Sequence, residues 1–482
     1  MDQTVLSLGD RIVVADESED VLNPYDGSVV ASVPSCNAGH VDEACRVAKA
    51  ALDRGLPQAT RAEILERAAA LLRVRVDEFA STIALESGKP IRTAMAEATR
   101  CADTLAFSAA ACRLLAGEAV PMEASHSGAG RIGFTIVEPI GVVAAITPFN
   151  FPLNLVAHKV APAIAAGCPV VLKPAELTPL SAIRLVSLLL EAGLPRDWVT
   201  VVTGLGQTVG RALVEHPTPA MVTFTGSARV GWGIAAAAPR KKVALELGST
   251  APLIIEEGSS VETIAAKVGV AGFSHAGQSC VSTQRILVHS SLKGAFVEAL
   301  EAEVNKLVTG DPLVPATDVG PLITGHEAKR VENWIAEARA GGATVVVGGL
   351  RDGAIVEPSL VTDVPLECRL WREELFGPAV AVVAYEDFST ALELANDTDL
   401  ALQAGVWTPD MAAALEAVRA LDFGGVLINE VPTYRADQQP YGGTKSAGNT
   451  REGPAYTVRE MSREKFVMFN DLGRGRSRAG GE

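Results

Sequence analysis

Gly141-Val142-Val143-Ala144-Ala145-Ile146 is a short apolar run, closed by Thr147-Pro148-Phe149-Asn150-Phe151-Pro152. An apolar stretch from Leu153 to Ala166 follows, and then Val170-Val171-Leu172-Lys173. The pattern reads as strand, turn, helix and strand. It continues C-terminally: helix over Pro179–Ala192, strand over Trp198–Thr203, helix over Thr208–His216, strand over Met221–Thr225, helix over Ala228–Ala238, strand over Lys242–Leu247. Short connections between alternating elements predict a parallel sheet covered on both faces, with the site beyond the carboxyl ends of its strands. A second α/β series starts near Ala251, with a helix over Val261–Phe273, strand Ile286–Val288, helix Lys293–Val308, and strands Thr344–Val347, Ala379–Ala384 and Gly425–Asn429. N-terminal to the first series, extended segments at Arg11–Val14 and Val29–Val33 precede a helical region from Val41 to about Leu115.

The whole chain bounds the function. Its 482 residues allow several domains and a large core; 48% apolar and 21% charged residues place it among globular proteins. A formal net charge of −15 disfavours nucleic acid as a partner. Seven cysteines at 36, 45, 101, 112, 168, 280 and 368 show no C-x-x-C spacing. That excludes a zinc ribbon, gives no metal site, and suggests reduced thiols. The longest uncharged run, Ile140 to Ala157, is broken by prolines and asparagines and is a poor membrane span. With no signal-peptide pattern at residues 1–5, a cytoplasmic protein is expected. The Gly- and Arg-rich residues 471–482 read as a disordered tail.

The strand ends carry the candidate chemistry. Cys280 follows the polar loop Ser274-His275-Ala276-Gly277-Gln278-Ser279, where a thiol is accessible as a nucleophile. Glu246, in Leu245-Glu246-Leu247-Gly248, is a carboxylate at the end of an apolar strand, suited to a general base. Asn150 sits in a rigid turn that suits an oxyanion donor. Lys173-Pro174-Ala175-Glu176 suits ribose hydroxyls; Gly204-Leu205-Gly206-Gln207-Thr208-Val209-Gly210 is one residue longer than the usual dinucleotide fingerprint; and Phe224-Thr225-Gly226-Ser227 presents backbone amides to a phosphate. Each has an ordinary structural reading too: a buried thiol, a solvent-facing Glu, a helix cap, an exposed ion pair.

Together these motifs, in order, with Glu373-Glu374-Leu375-Phe376-Gly377-Pro378 and Pro440-Tyr441-Gly442-Gly443-Thr444-Lys445, are far more specific. The chain resembles the NAD(P)-dependent aldehyde dehydrogenase superfamily over nearly its whole length. The resemblance implies an α/β fold with a Rossmann-type cofactor domain (1–128 and 139–247), an α/β catalytic domain (248–430), and an oligomerisation arm with a substrate-tunnel loop (129–138 and 431–470). It implies Cys280 as nucleophile, Glu246 as the base for the hydrolytic water, Asn150 with the Cys280 amide as oxyanion hole, and Lys159 near the site. Lys173 and Glu176 would hold the adenosine ribose, Gly226 and Ser227 the pyrophosphate, Glu374 the nicotinamide ribose and Phe376 the ring. Ile146, Thr147, Gly206, Gly210, Phe224 and Leu247 complete the cofactor set. NAD is expected ahead of NADP.

The implied product is a carboxylic acid, formed through a thiohemiacetal and a thioester on Cys280. A CoA-acylating relative and a Cys–Glu–Lys hydrolase without nicotinamide are the alternatives; Glu246 argues against the first. The implied tunnel residues are Phe151, Asn154, His158, Ser279, Arg435 and Arg451. The polar Asn154 and His158 favour a small polar aldehyde, such as a hydroxyaldehyde or a semialdehyde. Arg435, Arg451 and Arg100 could add positive charge, although a structural ion pair is the favoured reading of each. Ser279 stands where relatives handling phosphorylated aldehydes often carry Arg. Ser249, Phe149 and the segment Gly448-Asn449-Thr450-Arg451-Glu452-Gly453 depart from the commoner family pattern. The alternating segment Ala129–Glu138, with a C-terminal strand such as Lys465–Phe469, implies a homodimer or homotetramer.

Overall fold

The computed structural model describes residues 6–470, so the expectations for residues 1–5 and for the tail 471–482 lie outside it. The first α/β series forms a five-stranded parallel sheet, in the order Lys242–Glu246, Pro219–Thr225, Val142–Ile146, Val170–Lys173 and Val199–Val201. The first of these five strands in chain order, Val142–Ile146, lies in the middle. The next two strands extend to one side of it and the last two to the other. That reversal opens a crevice between the ends of Val142–Ile146 and Pro219–Thr225, where Ile146 and Phe224 are register partners.

Two expectations change locally. The strand Trp198–Thr203 shortens to Val199–Val201, and the helix over Thr208–His216 begins as a π-type turn, Gly206–Gly210, before the α-helix Arg211–Glu215. The amides of Thr208, Val209 and Gly210 all converge on the Leu205 carbonyl, which widens the first turn.

The helix Asn154–Ala166 is buried along its whole length, between the sheet and the helices Ile91–Leu114 and Pro454–Glu460. Its N-terminus is held by Glu97, whose Oε1 accepts the Leu153 and Asn154 amides at 3.0 and 3.1 Å. Glu97 also pairs with the fully buried Lys89. This grip fixes the preceding turn, and with it Asn150.

The second series forms a seven-stranded sheet, in the order Thr344–Val347, Ser359–Thr362, Ala379–Tyr385, Arg285–His289, Pro252–Ile255, Gln403–Trp407 and Gly425–Ile428. All its pairings are parallel except that of the Thr344–Val347 edge. The helices end earlier than expected, at Ala271 and Val304. Two apolar cores follow: one from Leu6 to Leu247, and one from Leu253 to Val431. Val458 and Met461, from the 431–470 segment, pack into the first core.

The segment expected to need an outside strand partner finds two within the chain. Arg131–Pro139 pairs antiparallel with Ser462–Asn470 on one side and with Ala119–Val120 on the other. Ile132, Ile136, Phe466, Met468 and Phe469 remain exposed on this small sheet. Among the described residues, no helix is long and apolar enough to cross a membrane.

Candidate active site

A cleft of about 1070 Å³ opens at the sheet's carboxyl ends, at the reversal point. Lys173, Glu176, Gly206 and Gly210 line one end of it. Ile146, Thr147, Phe224, Gly226 and Ser227 line the middle, and Leu247, Glu374, Phe376, Asn150 and Cys280 the rest. All twelve residues expected at the cofactor therefore share one cavity. Of the other candidates, Glu246, Lys159, Phe151, Asn154, His158, Ser279, Arg435 and Arg451 lie outside its lining.

The Cys280 loop is held in an unusual backbone. His275, Ala276 and Gly277 run through positive φ at 51°, 53° and 70°. Two non-glycine residues there carry strain, which persists only where surrounding structure enforces it. Gly277 has no alternative: a Cβ would collide with the Gly377 carbonyl. Phe376 also has positive φ, at 50°, and its ring meets Phe149 edge-on at 5.8 Å. Gln278 pins the loop, donating to the His275 carbonyl and accepting the Ile323 amide. Its carbonyl accepts one N–H of Asn150 at 2.9 Å, which leaves the second amide proton of Asn150 for the cleft.

Cys280 Sγ lies 2.7 Å from the Tyr441 hydroxyl. Burial pushes the thiol up to about 12, with the Tyr441 bond and the nearby Arg435 charge pulling the other way. Tyr441 stands in the Pro440–Lys445 motif, where nothing in the sequence marks it as a partner of Cys280. Arg435 stacks on the Tyr441 ring, its Cζ 3.8 Å from the centroid.

Behind this pair lies a buried chain of charges. Arg435 donates to Glu452 Oε1 at 2.7 Å, and Lys159 to Glu452 Oε2 at 3.1 Å. Glu452 sits far below the usual carboxylate range: burial alone would raise it, but the charges of Lys159 and Arg435, both within hydrogen-bond reach, outweigh burial. Asp437 takes Arg100 at 2.9 Å, His158 Nε2 at 3.0 Å and Asn154 Nδ2 at 3.0 Å. It too lies far below the ordinary range, burial being overcome by His158 and Arg100. Asn154 and His158, expected as a polar tunnel wall, are thus engaged by Asp437. Arg100 and Arg435 take up the ion pairs that their ordinary reading allows. Arg451 donates to the Gly443 and Thr450 carbonyls. Glu452, within the Gly448–Gly453 segment, and Asp437, in no motif, carry no sequence signal of their partners, which lie 17 to 337 residues away.

Glu246 is 4% exposed, and among the described residues neither carboxylate oxygen meets a donor. Burial, and then the charge of Glu452, raise it well above the usual range, against Lys159, Arg435 and Arg451. Its backbone is fixed from both sides: its carbonyl accepts the Gly226 amide, and it bridges Gly448. A Cβ at Gly448 would collide with the Leu245 carbonyl. Asn449 staples the departing segment to the strand, accepting the Leu245 amide and donating to Val243.

At the opposite end, Glu176 Oε1 accepts the Gly206 amide at 2.5 Å and Lys173 Nζ at 3.2 Å. Glu374 accepts the Ser249 amide at 3.0 Å, and burial pushes it up to about 7 against that bond. Its carboxylate lies over Gly248, where any Cβ would collide with it. Ser227, exposed, begins the helix Ala228–Ala237 and points its first amides at the cleft's middle. A long cleft with a Lys/Glu pair at one end, a helix N-terminus midway and a carboxylate by a thiol at the other end fits a dinucleotide.

A family model described as aldehyde dehydrogenase family matches residues 13–467. A 3-sulfolactaldehyde dehydrogenase from Priestia aryabhattai is 43% identical over 454 residues, covering 94% of this chain and 95% of the relative. Among solved structures, aldehyde dehydrogenase 21 from Physcomitrella patens, in complex with the reaction product succinate, superposes with a TM-score of 0.95 at 38% identity; the match covers 98% of this chain and 99% of that one. Glyceraldehyde-3-phosphate dehydrogenase from Methanocaldococcus jannaschii, complexed with NADP, gives 0.91 at 34% identity, covering 94% and 100%.

Proposed function

The chain belongs to the aldehyde dehydrogenase family and is an NAD(P)-dependent aldehyde dehydrogenase, and from that premise we propose that it oxidises a small aldehyde carrying one negative charge to its acid, with Cys280 as nucleophile. The charge cluster beside Cys280 carries this reading. Arg100, Arg435 and Lys159 face the two carboxylates of Asp437 and Glu452. The charge of Arg451 bears on Glu246 together with those of Lys159 and Arg435, and burial with Arg435 favours the neutral His158. With Arg451 and the Glu246 carboxylate counted, four cations against three anions leave one positive charge for the substrate's head group. The sulfonate implied by one relative's name and the succinate bound in one neighbour agree with that sign.

Lys173 and Glu176 would hold the adenosine ribose, the first amides after Ser227 the pyrophosphate, and Glu374 the nicotinamide ribose. A bound nicotinamide cofactor would supply hydride-accepting chemistry. The chain's own residues do the rest. The Cys280 sulfur attacks the aldehyde carbon. The second N–H of Asn150 and the Cys280 amide, which donates to no protein group among the described residues, receive the oxyanion. Glu246, free of protein donors, takes a proton from the water that splits the Cys280 thioester. Water as the acceptor favours a free acid over a CoA ester.

The exposed apolar face of the Arg131–Pro139 and Ser462–Asn470 sheet suits a second copy of the chain. Seven free cysteines suit a reducing, cytoplasmic setting. The substrate reading is tested by NAD(P)H absorbance with 3-sulfolactaldehyde, succinic semialdehyde, lactaldehyde and propanal. One of the anionic aldehydes is expected to exceed the uncharged pair in kcat/KM by about tenfold or more, the ratio for ~1.4 kcal/mol. A preference for propanal would overturn it.

A further inference from the structure

Tyr441 is nearly fully buried, and among the described residues its hydroxyl meets one hydrogen-bond partner, the Cys280 sulfur at 2.7 Å. A buried phenol needs a partner, and a neutral thiol is a weak one in either direction. A thiolate is a far stronger acceptor, because the bond becomes charge-assisted. The pairing therefore stabilises the sulfur most once it has lost its proton.

The surroundings fix the phenol in that position. Tyr441 and Glu452 exchange backbone hydrogen bonds, 2.8 and 2.5 Å long, across an antiparallel bridge. The bridge closes because two glycines follow Tyr441: a Cβ on Gly442 would collide with the Thr450 carbonyl, and one on Gly443 with Ala447. Glu452, placed by the same bridge, holds Arg435 flat against the Tyr441 ring. A cation on the ring face withdraws electron density and makes the hydroxyl a better donor. Phenylalanine would fill the same space and keep the Arg435 stacking, so packing alone does not account for the hydroxyl.

We propose that Tyr441 is a catalytic residue, whose hydroxyl donates to the Cys280 sulfur and raises the fraction present as thiolate. This rests on Cys280 being the nucleophile. It agrees with the direction of the local electrostatics: burial pushes the thiol up to about 12, and the Tyr441 bond is the largest influence opposing it. Burial also holds Tyr441 well above its ordinary range, so it keeps its proton and stays a donor.

The test is the pH dependence of iodoacetamide alkylation of the purified full-length enzyme, with Cys280 modification followed by peptide mass and activity assayed in parallel. In Tyr441→Phe the midpoint is expected to move up by about one pH unit, with alkylation below the midpoint slowed about tenfold. A midpoint that stays put, with any rate change uniform across pH, means that the hydroxyl acts sterically and overturns the proposal. If Tyr441→Phe does not fold, 3-fluorotyrosine at position 441 replaces it. Its more acidic phenol should lower the midpoint, and an unchanged midpoint is again fatal. Alkylated Cys280 with full activity would instead sink the nucleophile assignment, so the two failures are distinguishable.

Discussion

Glu97 and Glu246 are two buried carboxylates, at 2% and 4% exposure, in opposite circumstances. Glu97 Oε1 caps the helix Asn154–Ala166 through two amides, and Oε2 meets the Lys89 ammonium. Glu246 has no protein donor at either oxygen. One carboxylate is completely engaged in holding the Asn150 turn; the other is placed at the end of a strand with nothing to satisfy it. An unpartnered buried carboxylate is a cost to folding, so its retention points to chemistry.

Exchanging each carboxylate for its amide should separate the two regions. Glu246→Gln is expected to lower steady-state turnover on the order of 10²–10⁴-fold, the range for a lost general base, while leaving a burst of NAD(P)H. Its stability should move the other way. The folded-state pKa of Glu246 is raised, so its contribution to stability is complete below the unfolded value and is lost as pH rises through the folded one. The variant should therefore melt above wild type at alkaline pH, by a margin that shrinks towards acid. Wild-type deacylation should also quicken as pH rises through that same raised value. Equal melting curves at every pH would mean that Glu246 is solvated and not a desolvated base.

Glu97→Gln should cost about 3–5 kcal/mol in urea unfolding, because it strands Lys89 in the core. Loss of activity with no loss of stability would erase the contrast. Asn150→Ala, at the point where the Glu97-held turn meets the Cys280 loop, should lower kcat on the order of 10²–10³-fold, as removal of one oxyanion donor does. A change within twofold would reduce Asn150 to a tether for Gln278. The smallest effect is expected at the far end of the cleft. Glu176 binds the Gly206 amide and Lys173, and a 2′-phosphate there would meet its carboxylate. Glu176→Ser should shift the NAD-to-NADP ratio of kcat/KM several-fold towards NADP, chiefly through NADP. An unchanged ratio would make Glu176 a loop tether.

The contrast between the two carboxylates also marks where sequence reading stops. The parallel sheet was legible because each strand is an apolar run bounded by turn residues, and the cleft because chemistry-bearing residues stand at successive strand ends. Glu246 could be singled out locally, as a charge closing an apolar strand. Glu97 could not, since nothing in the helix sequence sets it apart from Asp103, and the two amides that it caps lie more than fifty residues away. The same holds for Asp437, which gathers Arg100, Asn154 and His158 across roughly three hundred residues. The pairing of Arg131–Pro139 with Ser462–Asn470 within one chain is likewise a matter of register that alternation alone does not set.

The central claim, that Cys280 carries the acyl group which Glu246 serves to release, is tested most directly by rapid quench of Glu246→Gln with aldehyde and cofactor, followed by peptide mass analysis. The acyl mass is predicted on the peptide containing Cys280, in proportion to the NAD(P)H burst. NAD(P)H formation with no adduct on that peptide, or with the adduct on another residue, would contradict it.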